Sequence, residues 1–161
     1  AVHDLVVQPE KNHLLVGTHG RSIYKADIHF LQEKVSELTL LPVDDIRYSS
    51  RWGNSYSSWR DPYIPAVDFK VFSENKGTSV WSIYDANKVL VNKGEHTLDK
   101  GYNFIHYNLS FGKNQRINYQ RKNKNTRLKS AKDGEYYLPK GSYTINIEFG
   151  KKKASQSFKI K

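Results

Sequence analysis

A chain of 161 residues suits one domain of ordinary size, or a smaller domain with an appended arm. Apolar residues make up 37% and aromatics 13%, with 11 Tyr, 7 Phe and 3 Trp, a balance that fits a mainly β protein with a bulky core and a strongly polar surface. The lack of Cys excludes disulfide staples, thiolate metal sites and a Cys nucleophile, and no run of about 18 apolar residues marks a membrane-spanning helix. With no Met and no signal peptide, the segment reads as a mature or excised piece of a longer product. The net charge of +10 favours polyanions in general, and much of it is gathered between Lys113 and Lys132, a stretch without an acid.

Three short strand patterns come first: Val2–Pro9, His13–Gly20 after a Glu10-Lys-Asn12 turn, and Arg21–Asp27. Three strands joined by tight turns make most of one propeller blade. The run His3-Asp-Leu-Val-Val-Gln-Pro9 followed by Gly17-Thr-His-Gly-Arg-Ser-Ile-Tyr24 resembles the last blade of the sortilin-like, Asp-box (BNR) repeat propellers. Bacterial members of that family are often described as glycosyl hydrolases. The resemblance implies an upstream propeller as a partner in cis, a C-terminal β-sandwich, and a place outside the cell, in the periplasm or at the cell surface. Cut from neighbouring blades, residues 1–28 are expected to be mobile, to dock on the sandwich, or to pair with a second copy through open strand edges.

Asp27 is placed to cap a short helix in which Leu31, Val35 and Leu38 form an apolar stripe, and Pro42 ends it. Residues 44–65 read as an irregular connector rich in Ser, Arg and aromatics, so 29–65 is a helix with an aromatic connector. From residue 66 to 161 the pattern is that of a β-sandwich of immunoglobulin or Fn3 type. Ala66–Phe72 and Thr78–Asn87 alternate, Lys88–Val91 returns after the Asp85-Ala-Asn87 turn, and Gly101–Ser110 adds another strand. Tyr143, Ile145, Ile147 and Phe149 hold every second position and Phe158 and Ile160 resume that alternation, which predicts a closing hairpin. The expected core takes one parity per strand: Val80 or Trp81, Ile83, Phe104 or Ile105, Tyr143, Ile145, Ile147 and Phe158.

Three short motifs, Tyr84-Asp-Ala-Asn-Lys88, Gly101-Tyr-Asn-Phe-Ile-His-Tyr107 and Pro139-Lys-Gly-Ser-Tyr-Thr144, resemble the Fn3-like or flagellar-hook-cap-like module at the ends of bacterial extracellular proteins. The Gly of the first motif is missing, and Tyr107 stands where that module usually has Trp.

Chemistry is sparse. The six His show no H-x-x-x-H or H-E-x-x-H spacing, so no metal or other cofactor is implied. Asp44 and Asp45 are neighbours rather than carboxyls facing one bond, and no Gly-x-Ser-x-Gly elbow is present. No catalytic residue is assigned. Arg51-Trp-Gly-Asn-Ser-Tyr-Ser-Ser-Trp-Arg60 carries sugar-binding chemistry, with flat faces on Trp52, Tyr56 and Trp59 and donors on Arg51 and Arg60; the competing expectation is that these aromatics pack against the sandwich or the propeller. In the basic stretch, Arg116, Arg121, Lys122, Lys124, Arg127 and Lys129 are candidates for polyanion contact. Tyr119 is the one aromatic between Lys113 and Lys132, so base stacking has little support and nucleic acid is not the expected partner. That stretch is expected to be an exposed, mobile loop. Two functions follow: a non-catalytic accessory sandwich of an extracellular propeller protein, or a module that binds carbohydrate or polyanions.

Overall fold

A computed structural model describes residues 1–20, 22–123 and 128–161. They form two compact units, Ala1–Val35 and Ser36–Lys161. In the first, β1 (Val2–Gln8), β2 (His13–Thr18) and β3 (Ile23–Asp27) make an antiparallel meander in the order β1-β2-β3. Gln8 accepts from the Lys11 N–H at 2.8 Å, fastening the first turn. Asn12 takes the left-handed conformation there, with φ 51°, one of the few that its short polar side chain tolerates.

The expected helix over Leu31, Val35 and Leu38 does not form. His29–Gln32 makes one 3-10 turn, with the Asp27 carboxylate accepting the His29 N–H at 2.9 Å. Leu38 and Leu40 instead alternate inward from a short strand, β4 (Leu38–Leu40), paired with β5 (Val67–Ser73) at Leu38↔Ser73 and Leu40↔Val71. Burying that pair while satisfying the ladder hydrogen bonds outweighs an apolar stripe whose first member, Leu31, stays exposed.

The second unit is a β-sandwich. One sheet runs β4-β5-β8, where β8 is Gly101–Tyr107; the other runs β10-β9-β6-β7, with β6 Gly77–Asp85, β7 Leu90–Leu98, β9 Gly141–Phe149 and β10 Lys152–Ile160. Inward residues alternate as strand geometry requires: Phe69 and Val71, Asn103, Ile105 and Tyr107, Tyr143, Ile145 and Ile147, and Phe158 and Ile160 are all buried. The expected core parities hold, since Ile83 and Ile105 are buried while Val80 and Phe104 face outward. Trp81 is half-buried against the core. In β7 the register shifts opposite Ile83/Tyr84, a bulge that lets Val91 and Leu98, of opposite parity, both face the core.

Each of the three short motifs has a structural role. The Asp85 carboxylate accepts the Asn87 N–H at 2.9 Å and the Val89 N–H at 2.7 Å, tying the β6–β7 turn. Lys88 sits in that turn at φ 59°. Gly101 has φ 104°, which a side chain rarely adopts. Buried Asn103 fastens the same corner, accepting from the Asp99 N–H at 2.8 Å and donating to the Asp99 and Gly101 carbonyls at 2.8 and 3.0 Å. Tyr107 donates to the Ser110 carbonyl at 2.6 Å, and Tyr143 to the Pro139 carbonyl at 2.7 Å.

Burial raises the pKa of both phenols, with the other buried tyrosines adding to the effect at Tyr143. In the unfolded chain the same phenols ionise near pH 10, so above that pH the unfolded state sheds protons that the folded state keeps. Stability is therefore complete below about pH 10 and falls above it, by up to about 1.4 kcal/mol per tyrosine per pH unit. Guanidinium midpoints measured at about pH 9 and pH 11 should show this drop; equal midpoints would count against buried phenols.

The stretch from Lys113, expected to be a mobile loop, begins as a helix, α1 (Lys113–Lys122), beside β7. Its anchor is Tyr119, buried and in ring contact with Phe111 at 4.8 Å. Hydrophobic periodicity could not reveal a helix held by one buried aromatic, with Ile117 exposed and the rest Lys, Asn, Gln and Arg.

Candidate functional site

The connector is fixed to the sandwich at its start. Ile46 bridges Ile160 in parallel; the Ile46 N–H donates to Lys159 O at 2.7 Å, and the Tyr48 N–H to Lys161 O at 2.8 Å. Lys161 also pairs with Asp45. A turn then carries Trp52 inward, with its N–H donating to Ser49 O at 3.3 Å. Trp52 is 4% exposed and meets Tyr48 and Tyr137 edge-on, at ring separations of 5.0 and 6.1 Å.

Gly53 lets the backbone reach the opposing loop. It has φ +69°, and a Cβ there would lie 2.5 Å from Ala131 Cβ and 2.7 Å from both Asp133 carboxylate oxygens, closer than real contacts allow. Its carbonyl accepts the Asp133 N–H at 3.1 Å. Asp133 in turn accepts from the Tyr137 hydroxyl at 2.6 Å, and burial, followed by this bond, raises the Tyr137 pKa. The ring that covers Trp52 is thus held by the residue that meets Gly53.

Beyond Gly53 the chain forms a closed loop. The Gly53 N–H donates to Tyr63 O at 2.8 Å and the Tyr63 N–H to Asn54 O at 3.1 Å, joining the two ends of 55–62. Asn54 Nδ2 donates to the carbonyls of Ser50 and Trp52, each at 3.1 Å. A Ser57–Arg60 turn, with the Arg60 N–H on Ser57 O at 3.1 Å, shapes the tip. On this loop Tyr56 is 85% and Trp59 76% exposed, and the Arg60 guanidinium lies over the Trp59 ring at 4.9 Å.

The five residues singled out for sugar contact therefore separate. Trp52 is a packing residue, whereas Arg51, Tyr56, Trp59 and Arg60 are exposed. Except for Trp59, those four line an open cleft of about 1170 Å³ together with Arg47, Tyr48, Tyr63 and Lys140. Lys140 Nζ sits over the Tyr48 ring at 5.8 Å. Arg47, Tyr48, Tyr63 and Lys140 lie outside the residues that the sequence singles out for the site. Tyr48 and Arg47 carry the same residue types as the segment that was singled out, while Lys140 comes from the β9 side of the sandwich and no local spacing points to it.

The basic candidates scatter. The Arg116 guanidinium stacks over the Tyr136 ring at 4.0 Å, and its Nε is buried with no hydrogen-bond partner, so this residue is engaged in packing. Arg121 and Lys122 are exposed in the last turn of α1, where positive charge suits the helix dipole, and Lys129 is exposed further along. Lys124 and Arg127 lie outside the described residues. Among the described residues, no cluster of three or more His, Asp or Glu side chains is arranged to hold a metal ion, and no helix is long and apolar enough to cross a membrane.

Comparison with known proteins adds no family. No family model matches the chain, and no curated protein matches it. Among solved structures, one described as "Crystal Structure of S.CueP" is similar at a TM-score of 0.31 and 9% identity, over 95% of this chain and 67% of that one.

Proposed function

We propose that this chain is the non-catalytic C-terminal part of a propeller protein acting outside the cell, and that its sandwich displays the connector as a saccharide-binding surface. The observation that carries the proposal is the division of one aromatic segment: Trp52 is buried, while Tyr56 and Trp59 present their faces from a loop closed at its base. Flat exposed rings beside Arg donors suit the apolar faces and hydroxyls of pyranose sugars. Hydrogen bonds at the base of the loop reduce the ordering cost of binding.

The accessory role is supported by the first unit. Its three-stranded meander matches most of a blade, and Val2, Leu5, Val6, Val7, Ile23 and Tyr24 on it are exposed, as expected of a sheet whose stacking neighbours are the other blades of a propeller. The non-catalytic assignment is supported by five carboxylates of the sandwich unit. Glu37, Asp45, Asp68, Asp99 and Glu148 each meet a basic side chain in an exposed pair, which suits surface solvation rather than proton transfer at a substrate.

Retention of the chain on a panel of immobilised polysaccharides tests the reading. Tyr56→Ala and Trp59→Ala should each lose retention while shifting stability by no more than about 0.5 kcal/mol. Unchanged retention would remove the connector as the surface. Hydrolysis of an aryl glycoside that disappears on substituting Asp44 or Asp45 would overturn the non-catalytic role.

A further inference from the structure

The lining of the connector cleft is strongly unbalanced in charge. Arg47, Arg51, Arg60 and Lys140 face it together, with Asp61 as the single acid. Elsewhere in the second unit lysines find acids, as in Lys76–Asp99, Lys152–Glu37, Lys153–Glu148 and Lys161–Asp45. None of the four cleft cations has an ion-pair partner among the described residues, and Asp61 has none either. Two of the four are supported from below by aromatic rings, Arg60 by Trp59 at 4.9 Å and Lys140 by Tyr48 at 5.8 Å. A ring under a cation holds it in place without neutralising it.

Like charges gathered on one concave surface repel one another, and at physiological salt that repulsion acts over a Debye length of about 8 Å. An anion placed among them relieves that repulsion and gains charge-assisted hydrogen bonds from forked guanidinium groups. The same wall carries Tyr48, Tyr56 and Tyr63, which offer faces for sugar rings. A nucleic-acid strand needs an extended basic track with successive stacked bases, and here the cations share one cleft. The exposed cations of α1 stand apart from this lining.

We propose that the cleft between the connector and Lys140 is a receptor for an acidic saccharide, whose carboxylate or sulfate groups are held by Arg47, Arg51, Arg60 and Lys140. This rests on the reading of the connector as a saccharide surface and adds the charge of the ligand to it.

The test uses the full 161-residue chain and four probes: polygalacturonate for carboxylate, chondroitin sulfate for sulfate together with carboxylate, neutral dextran, and a single-stranded oligonucleotide. Titration calorimetry at about 50 mM salt should show binding to polygalacturonate, to chondroitin sulfate or to both, weakening as salt is raised. Binding of chondroitin sulfate alone assigns the seat to sulfate, and binding of polygalacturonate assigns it to carboxylate; either supports the proposal. The double variant Arg51→Ala/Arg60→Ala should weaken that binding by about tenfold or more with an unchanged melting temperature, and Arg121→Ala/Lys122→Ala on α1 should leave it as it was. Equal binding of dextran would overturn the acidic specificity and leave the saccharide surface standing. Binding of no saccharide would overturn both. Tighter binding of the oligonucleotide, or loss of binding through the α1 variant alone, would overturn the proposal as well.

Discussion

Replacing Trp52 by Ala is expected to lower the unfolding free energy of the sandwich unit by about 3–5 kcal/mol, the usual cost of emptying a buried Trp site. Trp59→Ala, only a few residues away, is expected to stay within about 0.5 kcal/mol of the parent. The contrast follows from their surroundings. Trp52 is closed in by Tyr48 and Tyr137, and the second of these is fixed by Asp133, whose main chain is bonded to Gly53. Removing the indole leaves a cavity that Tyr137 cannot fill without breaking its bond to Asp133. Trp59 has one ring face against the Arg60 guanidinium and is otherwise open to water. Urea unfolding of both variants, followed by far-ultraviolet dichroism, gives the two free energies. A Trp52→Ala loss below about 1 kcal/mol would mean that the connector is not part of the folded core. In a saccharide assay the order should reverse, with Trp59→Ala abolishing retention and Trp52→Ala, below its lowered melting temperature, preserving it.

The sequence made the sandwich strands easy to read and the connector hard, for identifiable reasons. In β9 and β10, Tyr143, Ile145, Ile147, Phe158 and Ile160 repeat at the strand period, and all five are buried. In β4 only Leu38 and Leu40 alternate, a signal too short to outweigh Leu31, Val35 and Leu38 at helical spacing, and the three leucine and valine positions fall in different units. Helix α1 has no apolar stripe and is placed by the contact of Tyr119 with Phe111, a pairing that local spacing does not encode. In the connector, Trp52 and Trp59 are the same residue type in similar company. What separates them is the left-handed backbone at Gly53 and its approach to Ala131 and Asp133, residues remote in sequence. The cleft shares this difficulty, because Lys140 reaches it from the turn before β9.

Phe158→Ala is expected to cost about 3–5 kcal/mol as well, at the contact between the two sheets. Phe158 is 2% exposed and joins the two sheets, lying 5.5 Å from Phe69 on β5 and stacked on Tyr143 of β9 at 5.6 Å. Phe69 continues the series to Tyr107 on β8 at 6.1 Å. A domain with a total stability of about 5–15 kcal/mol loses a large share of it when such a link is removed. The denaturant midpoint should fall with little change in slope, while Val80→Ala on the outer face of β6 serves as a near-neutral control. A midpoint unchanged by Phe158→Ala would show that the two sheets are not held together through this aromatic series. The consequence extends to the site, because Lys159 of β10 and Lys161 just after it accept the main-chain N–H groups of Ile46 and Tyr48. Loosening β10 therefore releases the start of the connector, and saccharide retention by Phe158→Ala should disappear at the temperature where the sandwich melts rather than at a separate, lower one.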